Sequence, residues 1–357
     1  MNNIKHANSF DFMRLAGSLM VLYSHGFAVA GLPEPVIGAF SSFGSLGVFI
    51  FFAISGYLVS TSWLSDSNLL RFALRRSLRI IPGLAVVILL SAFVLGPIVT
   101  TIPIATYLGH PTTYRYLENV ALYINYTLPG CFERVPLANT VNGSLWSLPP
   151  EVLMYVFLGA LGVSTLVKRR AFMALFSAVV GTAALYLLRT TPLTVPLVHW
   201  VIQPHSAPIL FLGMDLHQVM LVAPYFWAGC LFRLFRDRIK LTMNTAIAAF
   251  MIMAVLQPGN VLWLWSWFAI PYIVLAFCTQ NDPTFSLPSW LGDLSYGIYI
   301  YAFPLQQTVY YYGHTTFSFW QMQALGAALT LFCSYLSWHI VESSALRLKP
   351  ARRGIAA

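Results

Sequence analysis

Two ionisable side chains interrupt the first apolar segment of the chain, and their spacing suggests that they act together. Arg14 and His25 lie eleven residues apart in the run FDFMRLAGSLMVLYSH. An α-helix would separate them by roughly 16 Å, and eleven steps of about 100° bring both to nearly the same face. Ionisable residues in a membrane helix usually line a cavity or carry function, because their burial in lipid is costly. We therefore predict functional roles; the alternative for His25 is a packing histidine bonded to a backbone carbonyl.

The second candidate cluster is the arginine-rich run RFALRRSLRIIP, which begins at Arg71. Arg71, Arg75 and Arg79 are four residues apart and would form one slowly turning row on a helix. Guanidinium groups bind phosphates through paired hydrogen bonds and do not lose their charge. The row could therefore bind a polyphosphate, such as the nucleotide part of a cofactor. The alternative is that these arginines only mark the cytoplasmic side of a membrane, near lipid headgroups.

The third cluster, NGSLWSLPPE, leads from a polar loop into an apolar helix and ends at Glu151. Proline fits a first helical turn and a carboxylate there is favoured by the helix dipole, so one interpretation is purely structural. The functional interpretation places Glu151 at a depth similar to that of His25, where it could orient the imidazole or bind sugar hydroxyls. Trp146 could be an aromatic platform for a sugar, although tryptophan is common at membrane interfaces anyway.

The composition indicates that a membrane bundle positions these residues. Of the 357 residues, 58% are hydrophobic and only 9% are charged, whereas about a quarter of a soluble domain is charged. Ten apolar runs are long enough, or nearly so, to cross a bilayer. They lie near 10–31, 44–63, 80–99, 148–167, 171–188, 216–234, 242–257, 260–279, 291–312 and 319–345. The fold class is therefore predicted to be an all-α, polytopic helical bundle with about ten transmembrane helices.

The positive charges give this bundle a direction. The net charge is +9, and all but three of the 20 Lys and Arg residues fall on one side when ten spans start from a cytoplasmic N-terminus. The exceptions are Arg115, Arg134 and Arg189. Because cytoplasmic segments are enriched in Lys and Arg, both termini are predicted to be cytoplasmic. Two long outside segments, about 100–147 and 189–215, are either binding loops or packed caps on the bundle.

Several function classes are excluded by missing motifs. The four cysteines lack CxxC spacing, and no metal site is predicted. P-loops, HExxH motifs and GxSxG nucleophile elbows are missing, which argues against ATPases, zinc proteases and serine hydrolases. The basic residues fall between apolar runs, so no nucleic-acid partner is expected. We predict a single membrane-embedded domain over 1–357, with helices from about 10 to 346, a basic tail at 347–357 and no fused soluble domain.

Taken together and in order, these segments resemble the membrane-bound acyltransferase 3 family. The similarity to its motifs runs from about Phe10 to Arg347. It lies in FDFMRLAGSLMVLYSH, GVFIFFAISGYLVS, RFALRRSLRIIP, SLWSLPPE, GDLSYGIYIYAFP and HIVESSALRL. Two positions depart from the family pattern: Ala302 stands where many members have His, and Ser343 where many have Pro.

The resemblance implies transfer of an acyl group, most often acetyl from acetyl-CoA, to a hydroxyl of a cell-envelope carbohydrate such as O-antigen or exopolysaccharide. Carried over by position, His25 would be the catalytic histidine. The expected site residues are His25, Arg14 and Glu151 for catalysis, Arg71, Arg75, Arg76 and Arg79 for acyl-CoA binding, and Asn142, Ser144 and Trp146 for acceptor binding.

The expected partners are membrane lipid, acyl-CoA from the cytoplasm, and a carbohydrate or lipid-linked glycan acceptor, in a bacterial inner membrane. Two alternatives stay open. The acceptor could be a small-molecule glycoside such as a macrolide or a Nod factor. From a different class, the protein could be a transporter or flippase in which His25 and Arg14 form a proton relay or a gate. The arginine row and the absence of an internal repeat favour the enzyme.

Overall fold

The computed structural model describes residues 3–37, 41–188, 214–280 and 287–350. Within them the chain is almost entirely helical, which confirms the predicted all-α class. The helices are α1 Asn3–Val29, α2 Phe43–Ser65, α3 Leu69–Leu90, α4 Gly96–Val99, α5 Ile104–Gly109, α6 Pro111–Arg115, α7 Leu148–Val163, α8 Arg170–Leu188, α9 Leu216–Leu234, α10 Met243–Val255, α11 Asn260–Cys278, α12 Ser295–Gly313, α13 Phe319–Ser337 and α14 Ser343–Arg347. Two-residue strands, β1 Val36–Ile37 and β2 Ser41–Ser42, pair antiparallel before α2.

Two π-helical turns make longer rods out of these helices. Ser91–Leu95 joins α3 to α4, and Trp338–Glu342 joins α13 to α14. Three 3₁₀ turns complete the helical structure. Tyr116–Ala121 follows α6, Gly143–Ser147 precedes α7, and Leu166–Lys168 lies between α7 and α8. The Gly143–Ser147 turn leads directly into α7, so the NGSLWSLPPE segment is helical almost throughout.

A helix lies at each of the ten predicted membrane segments. Six helical stretches of the described chain are long and apolar enough to cross a membrane: Phe43–Ser65, Leu69–Val99, Gly143–Val163, Arg170–Leu188, Asn260–Cys278 and Phe319–Arg347. The ten-span count and the cytoplasmic position of both termini stay predictions. Most of the second predicted outside segment (residues 189–213) lies outside the described residues, as does 351–357 of the predicted tail.

Polar residues immediately before apolar runs start several of these helices. The Ser42 hydroxyl accepts a hydrogen bond from the Ser45 amide at 3.1 Å, and the Asn68 side chain accepts one from the Arg71 amide at 2.9 Å. Such caps satisfy first-turn N–H groups that have no partner within the helix. The Asn68 cap starts α3 well before the predicted span at 80–99, so the arginine-rich run and that span form one continuous helix.

At the centre of the bundle, α2 packs closely against α1 and α9. Glycine allows this approach: a Cβ atom on Gly47 would overlap the Gly17 carbonyl of α1, and a Cβ atom on Gly56 would overlap the Phe226 carbonyl of α9. Small residues at helix crossings permit the van der Waals contact that holds helices together in lipid. The central position of α2 makes it a wall for the cavities on either side.

The contacts between α1 and α2 show that these helices run antiparallel. Gly44 lies beside Ser24 near one end of the pair, and Tyr57 stacks on Phe10 near the other, with ring centroids 5.8 Å apart. These two contacts define two levels of the bundle, one near Ser24 and one near Phe10.

Candidate active site

A cavity of about 90 Å³ lies among α1, α2, α3, α7 and α12. Its charged side chains come from three of the predicted clusters: Arg14, Arg76, Arg79 and Glu151. The other lining residues are Val48, Phe51, Phe52, Ser55, Leu58, Val59, Ile80, Ser147, Leu148, Tyr155, Ser295, Tyr296 and Tyr299. The fold therefore brings segments that are distant in sequence around one polar space inside an apolar bundle.

Asp293, just before α12, organises the arginines at this cavity. Its Oδ2 atom lies 2.6 Å from Arg79 and 3.8 Å from Arg14, and Arg14 is also 3.1 Å from Asp11. Its Oδ1 atom accepts hydrogen bonds from the amide and the hydroxyl of Ser295. A single carboxylate thus contacts two cavity arginines and accepts hydrogen bonds from Ser295, the first residue of α12. The motif GDLSYG contains this residue, but only the fold shows which arginines it meets.

Arg71 and Arg75 bind a different carboxylate, Asp66 in the turn between α2 and α3. Arg71 bonds both carboxylate oxygens, at 2.9 and 2.6 Å, and Arg75 adds a bond of 2.8 Å. These hydrogen bonds from Arg71 and Arg75 hold the pKa of the Asp66 carboxyl well below its usual value. Neither arginine is among the described residues that line the cavity. The predicted row is therefore divided into a pair at Asp66 and a separate cavity group.

Arg76 is the cavity arginine that has no carboxylate partner within the described chain. No hydrogen bond holds its guanidinium group, and its Nε atom is buried. The group lies over the Tyr155 ring, 5.9 Å from the centroid. Arginine stacked on an aromatic face keeps its N–H donors available. Because its charge is only partly exposed and is not neutralised by an ion pair, Arg76 is well suited to bind an anion.

Glu151 lies at the level of Arg14, which differs from the expected level of His25. Its Oε1 atom accepts a hydrogen bond of 3.1 Å from Ser55, which is close to Tyr57 and therefore near the Phe10 end of α1. The physical reason is that the chain enters the bundle before α7 begins, so the first turn of α7 is deep inside the protein. Glu151 thus shares the arginine-lined cavity.

Tyr155, which the sequence motifs did not single out, completes this part of the cavity. Its hydroxyl donates to the Glu151 carboxylate and lies 3.0 Å from the Ser55 hydroxyl. Residues four apart on a helix share a face. A tyrosine four residues after an intramembrane glutamate was therefore a signal that could have identified it. Its fixed ring positions Arg76.

Lys349 adds another positive charge near the same arginines. Burial, together with the positive charges of Arg79, Arg76 and Arg14, lowers the pKa of Lys349 to about 8. The sequence places this lysine only in a basic tail. The fold brings it near these arginines because the end of the chain packs back on α3 through α14.

The segment before α7 enters the bundle and does not merely cover it. Asn142 donates to the Ile300 carbonyl of α12 at 2.9 Å and accepts from the Ser144 amide at 3.1 Å. Trp146 is only 3% exposed and packs in the main apolar core. These contacts give Asn142 and Trp146 clear packing roles. The Ser144 hydroxyl, in contrast, is buried and has no hydrogen-bond partner.

His25 lies outside the arginine-lined cavity, farther along α1. Its side chain is 4% exposed, and its Nδ1 atom is buried without a hydrogen-bond partner. Its ring meets Phe303 edge to face, with centroids 5.4 Å apart. No hydrogen bond or ion pair connects His25 to Arg14 or Glu151, all three of which are described residues. No backbone carbonyl of the described chain bonds the imidazole either, so a nitrogen is available to accept a proton.

One face of α12 connects the cavity to His25. Tyr299 lines the cavity, where its hydroxyl lies 2.6 Å from that of Ser147. Phe303, which contacts His25, follows Tyr299 by four residues and therefore lies about one helical turn farther along the same face. The cavity and the imidazole thus contact successive turns of the same helix.

Comparison with known proteins matches residues 7–339 to a family described as an acyltransferase domain, acyltransferase 3. The chain belongs to this family. An O-acetyl transferase of Shigella phage Sf6 is 30% identical over 340 residues, which cover 94% of this chain and 95% of the relative. Nodulation protein 10 of Rhizobium leguminosarum bv. viciae is 28% identical over 388 residues, covering 96% and 94%. No solved structure matches the chain.

Family membership and the apolar helices identify this acyltransferase as an integral membrane protein. Its two departures from the family pattern are accommodated locally. Ala302 is fully buried in an apolar cluster with Leu22 and Ile298. Ser343 starts α14, and its hydroxyl donates to the His339 carbonyl at 3.3 Å, so the helical path continues without a proline.

Proposed function

We propose that this acyltransferase moves an acetyl group from cytoplasmic acetyl-CoA to a hydroxyl of an envelope carbohydrate, in a bacterial inner membrane. The observation that carries the proposal is the arrangement along α1. An arginine-lined cavity surrounds Arg14, and an unbonded buried imidazole follows eleven residues later at His25. The likeness to an O-acetyl transferase supports acetyl as the transferred group.

On the donor side, Arg76, Arg79 and Lys349 bind the phosphates of acetyl-CoA. Arg76 contributes most, because Arg79 already shares Asp293 with Arg14. Charge-assisted hydrogen bonds from guanidinium groups are among the strongest that proteins make to phosphate. Arg71 and Arg75 act indirectly, since their pairing with Asp66 fixes the start of the helix that carries Arg76.

The acyl end of the donor then extends past Tyr299 toward His25. His25 takes the proton of the acceptor hydroxyl while the hydroxyl oxygen attacks the thioester carbonyl. The carbon–sulfur bond breaks, and the CoA thiolate leaves and receives the proton from the imidazolium. A neutral imidazole with a free nitrogen suits this role, and positioned bases contribute about 10²- to 10⁴-fold to such reactions.

A second candidate concerns the acceptor. The likeness to a nodulation protein supports a smaller glycoside, such as a Nod factor, in place of a polymer. The transporter alternative receives no support from the family, whose members are described as acyltransferases.

The test uses the purified protein in lipid nanodiscs, acetyl-CoA labelled in the acetyl group, and polysaccharide from cells that lack this gene. We expect an alkali-labile label on the polysaccharide and one free CoA for each ester formed. The same protein in vesicles gives the opposing result if the glycan crosses the membrane without becoming acetylated. That outcome would replace the enzyme with a transporter.

A further inference from the structure

The segment 137–144 packs against α12 at the level where Phe303 contacts His25. This segment contacts α12 about one turn before Phe303 and about one turn after it. Before Phe303, Asn142 bonds the Ile300 carbonyl at 2.9 Å. After it, Gln307 bonds two carbonyls of the segment. The ring of Phe303 contacts His25, so both ends of the segment lie within about a turn of the imidazole.

Gln307 is fully buried, and its hydrogen bonds determine how its amide is oriented. The Nε2 atom donates to the Leu137 carbonyl at 2.8 Å and to the Thr140 carbonyl at 3.2 Å. An amide oxygen could not face two carbonyl oxygens, so the assignment of nitrogen and oxygen is unambiguous. Both amide protons are used, while the Oε1 atom is buried and has no donor.

The polar atoms without partners around His25 share one property. They are His25 Nδ1, Ser144 Oγ and Gln307 Oε1, and each can accept a hydrogen bond. Both amide protons of Gln307 and one of Asn142, in contrast, already donate to backbone carbonyls. Buried polar atoms in proteins are rarely left unpaired. The partner that this enclosure lacks must therefore supply hydrogen-bond donors, and a saccharide supplies several hydroxyls at once.

We propose that Gln307 binds a second hydroxyl of the acceptor sugar while His25 deprotonates the first. The inference rests on the proposed transfer to a carbohydrate and adds a residue that selects the acceptor. The Oε1 atom accepts the hydrogen bond of this second hydroxyl, and the Ser144 hydroxyl is the next available acceptor. The acceptor class is thus a polyhydroxylated sugar with at least one further free hydroxyl near the acetylated position.

The neighbouring Gln306 is a matched control, because it makes the same kind of contacts on another side of α12. Its Nε2 atom donates to the Leu22 carbonyl at 2.9 Å and to Gln323 at 3.0 Å. Its Oε1 atom is also buried without a partner. However, Gln306 faces a small space beside Gly26 and Gln323, between α1 and α13, and it is not bonded to the segment 137–144.

The experiment compares Gln307→Met with Gln306→Met in the nanodisc assay, with KM measured separately for polysaccharide and for acetyl-CoA. One lost hydrogen bond corresponds to roughly a threefold to tenfold change. We expect Gln307→Met to raise the polysaccharide KM by that factor and to leave the acetyl-CoA KM unchanged, whereas Gln306→Met changes neither. Gln307→Glu should restore the polysaccharide KM, since a buried, protonated carboxyl keeps one donor and one acceptor.

Equal effects of the two methionine variants on the polysaccharide KM would show that these glutamines only hold helices together. A parallel rise of both KM values in Gln307→Met would have the same meaning. Either result overturns the role of Gln307 while wild-type transfer leaves the proposed function intact. Absence of transfer by the wild-type protein would instead remove the proposed function itself, together with this inference.

Discussion

The arginine-lined cavity and the enclosure of His25 lie in the same bundle but differ in chemistry. The cavity is lined by Arg14, Arg76 and Arg79 and has carboxylates nearby. The polar groups of the enclosure considered above are the amide of Gln307, the hydroxyl of Ser144 and the imidazole of His25. One region is suited to bind a charged molecule, and the other to bind neutral hydroxyls.

The contrast shows how a membrane protein can bind a polyanion and still perform chemistry away from water. Charges inside a low-dielectric bundle are tolerated when they are paired, as Asp293 is with two arginines. No described residue forms an ion pair with His25 itself, so the base stays available for proton transfer. Four predictions test whether the cavity binds the donor while the enclosure of His25 performs the chemistry.

The largest effect is expected at His25. Replacing His25 with Ala should lower kcat for acetyl transfer by about 10²- to 10⁴-fold, because the general base is lost. Acetyl-CoA binding, measured by calorimetry, should be unchanged, since the donor phosphates bind in the other region. His314→Ala, at the exposed end of α12, is the matched control and should retain full activity. Full transfer by the His25 variant would end the assignment of chemistry to the enclosure.

Arg76 should dominate donor affinity. Arg76→Ala should raise the acetyl-CoA KM by about tenfold to a hundredfold, the range for a lost hydrogen bond to a charged group. The polysaccharide KM should not change. Arg71→Ala is the comparison, because Arg71 pairs with Asp66 away from the cavity and its indirect contribution should change the acetyl-CoA KM far less. Similar increases of the acetyl-CoA KM in the two variants would mean that the whole arginine row binds the donor. That result would contradict the division into a pair at Asp66 and a separate cavity group.

A Glu151 variant tests whether this carboxylate acts on the donor side or on the acceptor side. Glu151→Gln removes a negative charge near Arg76, so we expect the acetyl-CoA KM to fall by about twofold to fivefold, in line with a partly exposed charge interaction. Glu133→Gln, on an exposed outer loop, should have no effect. A raised polysaccharide KM in Glu151→Gln would return this residue to the acceptor side, where the sequence placed it.

The smallest effect is a pH dependence from Lys349, whose pKa is lowered to about 8. Below this pH the lysine is charged and attracts the donor phosphates, and above it the attraction is lost. The acetyl-CoA KM should therefore rise about twofold to threefold between pH 7 and pH 9. Lys349→Gln should have the higher KM at both pH values, and Lys349→Arg the lower one. A wild-type KM that stays constant over this range contradicts a role for Lys349 in donor binding.

The features predictable from sequence were those determined within one helix. The helical character of the ten apolar runs follows from their composition, and the relation of Arg14 to His25 follows from helix geometry alone. The level of Glu151 was not predictable in this way. It depends on how far the preceding segment enters the bundle, which is set by distant contacts such as Asn142 with Ile300.

The arginines show the same limit. Their four-residue spacing indicated a shared face, but spacing does not reveal partners on other helices. Asp66 and Asp293 bind Arg75 and Arg79, respectively, and leave Arg76 without an anion. Because Arg76 is outside the four-residue row, sequence pattern alone ranked it no higher than its neighbours.

The spacing of Arg14 and His25 along α1 has one more consequence, for the length of the donor. A rigid helix makes the three turns between them a molecular ruler. A productive donor must place its anionic group at one end of that ruler and its acyl carbon at the other. Acetyl phosphate, in which the two are adjacent, cannot meet both ends, whereas a thioester on a long flexible arm can. The spacing along the first helix thus selects the donor by its length, in addition to providing the catalytic base.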